Sequence, residues 1–274
     1  MDRLSTASGH VRSEFAKDQC GDAKGGVSLQ TWRECGAGRA QREVMKDRIV
    51  KRRQAYAAEI TRRAGVRDPR IEKAFAAVPR EDFAGPPPWH IGSGGLYGRT
   101  SDDDPARLYD DVLVAIDARR GINNGQPSLH ALCIDALGVK EGETIVHIGA
   151  GAGYYTAILA HLVGPTGRVV AYEIEPDIAE RARTNLAGFP QVEVRARSGV
   201  DEAPGNILNA DEGRPRSPLP KADCIYVNAA ASHPVRAWLH ALKVGGRLLF
   251  PLQAAHSTGD MLLITRPEQG DAWP

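Results

Sequence analysis

Apolar positions recur along this chain with two different periods. Ile49, Tyr56, Ile60 and Ala64 fall at helical spacing with Lys and Arg between them, so order is expected to begin near Asp47. Asp68-Pro69 supplies an N-cap followed by proline at the first helical position, and the helix it opens should run through Ile71, Ala74 and Phe75 to Val78-Pro79. Further on, helical and strand-like stretches alternate. Helices are predicted over 127–137 (closed by Gly138), 155–162, 178–186 and 234–242. Strands are predicted over 144–148, 168–173, 192–196, 223–227 and 247–252, and 261–265 looks like one more. Such alternation implies an α/β fold, a doubly wound and mostly parallel sheet with helices on both faces.

The pattern divides the chain. Residues 1–40 are rich in Gly, Ser, Asp and Lys without a sustained apolar period, and read as a disordered leader. Residues 41–120 form an N-terminal helical region and connector, and 121–274 form the alternating domain. Pro86-Pro87-Pro88 and Gly92-Ser93-Gly94-Gly95 frame a stiff, then flexible, connector reaching to about Pro105. No internal repeat is present.

Charge narrows the partners. The 274 residues carry 35 Lys plus Arg against 34 Asp plus Glu, a formal net of +1, so no whole-protein grip on nucleic acid or membrane is expected. Residues 36–80 hold 13 basic and 5 acidic side chains, which read as a solvated helix face. No run approaches the roughly 18 apolar residues of a membrane span. The start, Met1-Asp2-Arg3-Leu4-Ser5, leads into polar residues and does not read as a secretory signal. Cys20, Cys35, Cys133 and Cys224 are scattered without a C-x-x-C pair, so neither a disulfide scaffold nor a metal site is expected, and a cytoplasmic location fits.

The most informative stretch is Ile145-Val146-His147-Ile148-Gly149-Ala150-Gly151-Ala152-Gly153-Tyr154. A buried strand runs into a glycine turn and then a helix, where backbone and helix N-terminus can approach a ligand closely. A dinucleotide fingerprint, G-x-G-x-x-G, would place its third glycine at Tyr154. The glycines fall instead as G-x-G-x-G, the habit of S-adenosylmethionine-dependent methyltransferases. Glu173 ends the next strand, 20 residues after Gly153, where a carboxylate can accept hydrogen bonds from a ribose diol.

From about Ile60 to Thr265 the chain resembles the protein-L-isoaspartate O-methyltransferase family. Val78-Pro79-Arg80-Glu81-Asp82-Phe83 is similar to its "VPRE-F" entry segment, and Leu108-Tyr109-Asp110-Asp111 to its "Y-D" element. Ile122-Asn123-Asn124-Gly125-Gln126-Pro127 stands where the family carries "T-I-S-Q-P". Ile148 to Tyr154 matches the turn, Asp223 to Ala231 matches "D-I-V-AAA", and Gly245 to Pro251 matches "GGRLV-P". The resemblance implies a Rossmann-like methyltransferase with S-adenosylmethionine as cofactor, a protein or peptide substrate, and a role in protein repair. Gly149, Gly151 and Gly153 would line the methionine side, Glu173 the ribose, and Ser198 and Gly199 the adenine. The loop from Asn123 through Gly125 would close over the cofactor, with His130 turned toward the same crevice. Asn123 and Asn124, amides that both donate and accept, are the candidates for orienting an acceptor carboxylate, and Asn124 or Gln126 could supply the donor lost at Gly125; serving the turn before Pro127 is the alternative for the two asparagines.

The departures fall at the site itself. The family's active-site Ser is Gly125 here, which removes a hydroxyl; Gly125→Ser is therefore expected to raise activity on isoaspartyl peptides. The acid preceding "IG" is His147, read as a structural histidine between Val146 and Ile148, with a cofactor role as the alternative. The "GDG" after the third strand reads Arg197-Ser198-Gly199, and a Gln after the fifth strand aligns with Asp260. The chain stops at Pro274, which leaves the sheet's final antiparallel strand apparently missing. Three readings stay open: an isoaspartyl methyltransferase, a methyltransferase of this fold with another acceptor (favoured by Gly125), and a cofactor-binding module without catalysis (favoured by the missing strand). Hydrolase and phosphotransferase readings fall away, since neither a nucleophile elbow nor a G-x-x-x-x-G-K-S/T loop is present.

Overall fold

The computed structural model describes residues 29–93, 96–200, 219–253 and 259–268. The chain forms two compact units, Met1–Arg48 and Ile49–Pro274. In the first, the described backbone is helical from Leu29, inside the stretch read as a disordered leader; residues 1–28 lie outside the described residues. Gln, Arg, Glu and Ala there are good helix formers, and a missing apolar period removes only the packing signal.

The second unit opens with the remainder of helix α1 (Leu29–Ala64), which buries Ile49, Tyr56 and Ile60 at the predicted spacing; Ala57 is buried beside them, and Ala64 is half-buried. Helix α2 (Pro69–Ala77) is capped by the Asp68 carboxylate, which accepts the N–H of Arg70 at 2.9 Å, and buries Ile71, Ala74 and Phe75. After the single-turn α3 (Glu81–Ala84), the expected connector is not a linker. It contains strands β1 (His90–Ser93) and β2 (Leu96–Arg99), antiparallel to each other. With β3 (Leu113–Asp117) and β4 (Ile122–Asn123) they form a sheet ordered β2-β1-β3-β4. Glycine-rich composition hid it, because four-residue strands holding so few β-branched residues give almost no strand signal.

Buried Arg80 fastens this layer. Its guanidinium donates to the carbonyls of Leu108, Asp110 (3.0 Å) and Val112 (2.7 Å), while Tyr109 Oη receives the Arg80 N–H at 3.1 Å.

The remaining elements alternate as predicted: α4 (Pro127–Leu137), β5 (Thr144–Ile148), α5 (Tyr154–Val163), β6 (Arg168–Glu173), α6 (Pro176–Asn185), β7 (Val192–Ala196), β8 (Ala222–Val227), α7 (Arg236–Ala241), β9 (Leu242–Leu252) and β10 (Asp260–Thr265). Helix α7 is shorter than expected because the chain turns into β9 at Leu242. The sheet runs β10-β9-β8-β5-β6-β7, with parallel pairing from β9 through β7. The further strand expected over 261–265 is β10, which pairs antiparallel with β9 at the sheet's edge. Hydrophobic pattern reveals that a strand exists but not its direction.

Side chains alternate cleanly across the sheet. Ile145, Val169, Cys224, Tyr226 and Leu249 pack with α2, α4 and α5, whereas Val146, Val170, Ile225, Val227 and Phe250 pack with Trp238 and Leu239 of α7. Strand order reverses between β5 and β8, which opens a crevice at their C-terminal ends.

Candidate active site

A cleft of about 710 Å³ occupies that crevice. Its floor is the glycine turn, which carries positive φ at Gly149 (76°), Gly151 (56°) and Gly153 (97°). Gly149 and Gly151 line the cleft, and a Cβ on Gly151 would stand 2.7 Å from Ile116 Cδ1 of β3. Gly153 does not line it. That glycine starts α5 against Leu186, whose Cδ1 would meet an added Cβ at 2.7 Å. Its expected ligand role becomes a packing role.

The turn's own hydrogen bonds decide what it can hold. The N–H groups of Gly149 and Ala150 both donate to Tyr172 O, that of Gly153 donates to Ala150 O, and that of Gly151 donates to Glu173 Oε2 at 2.7 Å. A pyrophosphate cradle needs such N–H groups free. These are committed, so the turn fits a ligand held by shape and by the neighbouring carboxylate. Glu173 is buried at the end of β6, accepts the Glu175 N–H on Oε1 at 3.1 Å, and faces the cleft with both oxygens fixed.

Opposite stands the loop that ends the β3–β4 hairpin. Asn123 Oδ1 accepts the Gly125 N–H at 2.8 Å, and Asn124 Oδ1 accepts the Val114 N–H at 2.9 Å. Both asparagines line the cleft. With each oxygen committed to the loop, the Nδ2 amides are the ends left for a ligand, and these only donate. Gln126 lies elsewhere: it is exposed, and its Nε2 donates to Asp111 Oδ2 (2.9 Å) and Ser128 Oγ (3.2 Å), which secures the start of α4. Its side chain makes no cap bond to the helix; Asp111 Oδ1 accepts the Ser128 N–H at 2.8 Å, and Gln126 steadies that carboxylate.

Gly125 and His130 meet face to face. Gly125 has φ +73°, and a Cβ there would lie 2.2 Å from His130 Nε2. The expectation that Gly125→Ser raises activity is therefore overturned, because a side chain at 125 collides with the imidazole and strains the backbone. His130 is buried, stacks on Tyr155 at 3.6 Å between ring centroids, and has Nδ1 2.6 Å from Tyr226 Oη. Burial pushes its pKa down to about 3.

His147 is fully buried and sits behind the cleft wall. Asn228 Nδ2 donates to its Nε2 at 2.8 Å, so its Nδ1–H donates to Thr156 Oγ1 at 2.8 Å. Burial pushes this ring down to about 3 as well. The structural reading is the one the contacts describe; the cleft-facing group is Asn228. Ser198 and Gly199 are not among the cleft-lining residues. Ser198 Oγ accepts the Val200 N–H at 3.1 Å, while Gly199 packs on Ile148 and gives its carbonyl to Trp238 Nε1 at 2.8 Å. Asp260 does line the cleft, beside Met261.

Sequence reasoning missed Ile116, Tyr226 and Asn228 as cleft residues. Tyr226 and Asn228 carried a usable signal, since they end a parallel strand next to the glycine-turn strand. Ile116 carried none, because its strand was hidden in the connector.

The same geometry has relatives. Residues 101–272 match the family model for protein-L-isoaspartate(D-aspartate) O-methyltransferase, PCMT. The chain belongs to the PCMT family. Protein-L-isoaspartate O-methyltransferase 1 of Rhodopseudomonas palustris is 31% identical over 222 residues, 81% of this chain and 77% of that one. The Methanopyrus kandleri protein-L-isoaspartate O-methyltransferase is 27% identical over 226 residues, 82% of this chain and 87% of that one. Among solved structures, a protein-L-isoaspartate O-methyltransferase superposes with a TM-score of 0.61 at 25% identity, covering 79% of this chain and 60% of that one. This chain thus spans less than two thirds of that structure's length. A Plasmodium falciparum PCMT solved with S-adenosyl-L-homocysteine superposes with a TM-score of 0.57 at 20% identity, covering 78% and 89%, a likeness of fold. Within this PCMT-family chain, the matched region begins at residue 101 and so includes the β3–β4 hairpin with the cleft-lining loop.

Proposed function

We propose that this chain transfers a methyl group from S-adenosylmethionine to the free carboxylate of isoaspartyl residues in proteins or peptides. One observation carries the reading beyond family membership: facing the glycine turn and Glu173, the cleft presents asparagine amides whose acceptor ends are already used. Among the described residues the two Nδ2 groups keep their N–H bonds for a ligand, and a pair of donors suits a carboxylate.

The residues present fit the cofactor. The close approach of Ile116 to Gly151 leaves a flat floor, and the Glu173 carboxylate keeps lone pairs for a diol. The cofactor, when bound, supplies a methyl group already activated on a sulfonium. The acceptor carboxylate is ionised at neutral pH, so the chain need not remove a proton. Its work is to align oxygen and methyl carbon, and by intramolecular analogy alignment contributes up to roughly 7–11 kcal/mol. Asn123 and Asn124 hold the carboxylate, while Ile116, Ile122 and Val227 keep water away. A repair role follows from the substrate class, and free, buried Cys133 and Cys224 support a reducing, cytoplasmic setting.

The test is methyl transfer to an isoaspartyl peptide beside its aspartyl twin. Turnover of the isoaspartyl peptide alone is expected; cofactor binding without methylation of either peptide would reject the reading. Asp260 favours a second one, since a carboxylate in the cleft suits an acceptor less acidic than isoaspartate. Turnover of uncharged acceptors in preference to both peptides would select it.

A further inference from the structure

We infer that Asp260, Leu129 and Met261 form a subsite for a lysine or arginine side chain that neighbours the acceptor residue in the substrate. The inference rests on the proposed isoaspartyl activity and names the kind of peptide the cleft prefers.

Charge sets the requirement. Of the charged side chains lining the cleft among the described residues, Arg80 gives its guanidinium to backbone carbonyls, and Glu173 accepts the N–H groups of Gly151 and Glu175. Asp260, the first residue of β10, is exposed, and among the described residues its carboxylate meets neither a cation nor an N–H or O–H donor. Left alone, it sets a negative charge in a cleft that must admit another, and like charges at close quarters repel. The cofactor does not supply the balancing cation. Its glycine turn follows β5, which lies three places from β10 in the sheet, or about 14 Å at the ordinary strand spacing. The cation therefore arrives on the peptide.

Shape sets which cation. Leu129 of α4 and Met261 of β10 line the same cleft, and Met261 packs on the cluster that holds Ala131 and Cys133 of α4, so helix and strand wall one end together. Beyond them the apolar surface continues outward. Leu132 stands three residues past Leu129 on the same helix face, Leu263 shares the sheet face of Met261, and both leucines are exposed. A side chain entering there meets aliphatic surface beside a carboxylate. Lysine and arginine have the matching form, a methylene stem and a cationic head. A wholly apolar neighbour would leave Asp260 unpaired, and a short cation would leave the leucine and methionine uncovered.

The experiment uses isoaspartyl peptides carrying lysine, 2,4-diaminobutyrate, glutamine or glutamate immediately before or after the isoaspartyl residue. It reads kcat/KM for methylation and, separately, peptide affinity for the S-adenosylhomocysteine-loaded protein by fluorescence anisotropy. At low salt, wild type should favour the lysine peptide over its glutamine twin by about two- to fivefold on at least one side, the range for an exposed ion pair. The margin over the glutamate peptide should be wider. Diaminobutyrate, a cation with half the stem, should show a smaller preference than lysine. The lysine preference should vanish in Asp260→Asn and invert toward glutamate in Asp260→Lys. It should also fade at about 1 M salt, where the screening length is about 3 Å. Binding with this preference but no methylation of any peptide would reject the isoaspartyl reading and uphold the subsite. Methylation at equal kcat/KM across the series, or a lysine preference that survives Asp260→Asn, would overturn the inference alone. Failure of every peptide to bind would overturn both.

Discussion

The carboxylate of Glu173 and the N–H of Gly151, 2.7 Å apart, join the ends of two adjacent strands across the floor of the cleft. The bond orients the acid and closes the glycine turn together, so the strand-end acid and the glycine spacing are parts of one device. Replacing Glu173 by Ala should weaken S-adenosylmethionine binding by about 1.5–3 kcal/mol, the range for a hydrogen bond to a charged group. Glu173→Gln should lose less, because its amide oxygen can still accept from Gly151. Titration calorimetry measures both; equal affinities across all three proteins would refute the assignment.

Asn124 offers a cleaner test than truncation allows. Its Oδ1 holds the Val114 N–H, so Asn124→Ala disturbs the hairpin as well as the cleft. Asn124→Asp keeps an acceptor for Val114 and replaces the cleft-facing donor with a second negative charge. Thermal stability should change little, whereas kcat/KM for an isoaspartyl peptide should fall by about a hundredfold or more, because truncating or opposing a partner of a charged group costs upward of roughly 2 kcal/mol. Steady-state kinetics decide it, and retained activity would place the acceptor elsewhere.

Arg120 ties the hairpin tip to the far side of the cleft. Its guanidinium meets Asp117 at 2.8 Å, Glu175 at 2.7 Å and Asp177 at 2.6 Å. The side chain is about one-third exposed, 36%, so its contribution to global stability should be small. Arg120→Ala is expected to leave the melting temperature nearly unchanged and to speed cofactor release several-fold, an effect that high salt should reproduce in wild type. Stopped-flow displacement would show it.

Acid should destabilise the fold earlier than its carboxylates require. Burial pushes His130 and His147 down to about 3 from an ordinary 6.5, and partial burial lowers His161 in the same direction. The unfolded chain takes up these protons near pH 6.5, while the folded state excludes those of His130 and His147 until near pH 3. Their contribution is thus fully present above pH 6.5 and is lost as pH falls from there, at up to about 1.4 kcal/mol per pH unit for each ring. The urea midpoint should therefore drop between pH 7.5 and 5.5, with a shallower drop in His147→Gln. A midpoint independent of pH over that interval would show that the rings titrate normally.

The main sheet was legible because its central parallel strands β5, β6 and β8 are apolar runs buried on both faces. Gly149, Gly151 and Glu173 were legible for a related reason, since chemistry at strand ends follows from strand order. Asn123 and Asn124 came from family resemblance. What stayed hidden depends on long-range packing. That Gly153 serves Leu186, that Gln126 serves Asp111, and that Ser198 turns onto its own backbone are settled by neighbours no local pattern encodes. The antiparallel sense of β10 and the β1–β2 hairpin were hidden likewise, one because direction has no periodicity, the other because its strands are four residues each.

The hairpin over the cleft has a consequence for the order of assembly. Asn123 is synthesised before Gly151, against which Ile116 rests, and Arg120 precedes its two distant partners by 55 and 57 residues. A nascent chain therefore makes the roof before the floor exists. The roof can close only when β6 and the start of α6 have emerged, and its docking is a late, non-local event. Cofactor present during synthesis would meet an open sheet, and the loop that later shields the reacting atoms would fold down around it.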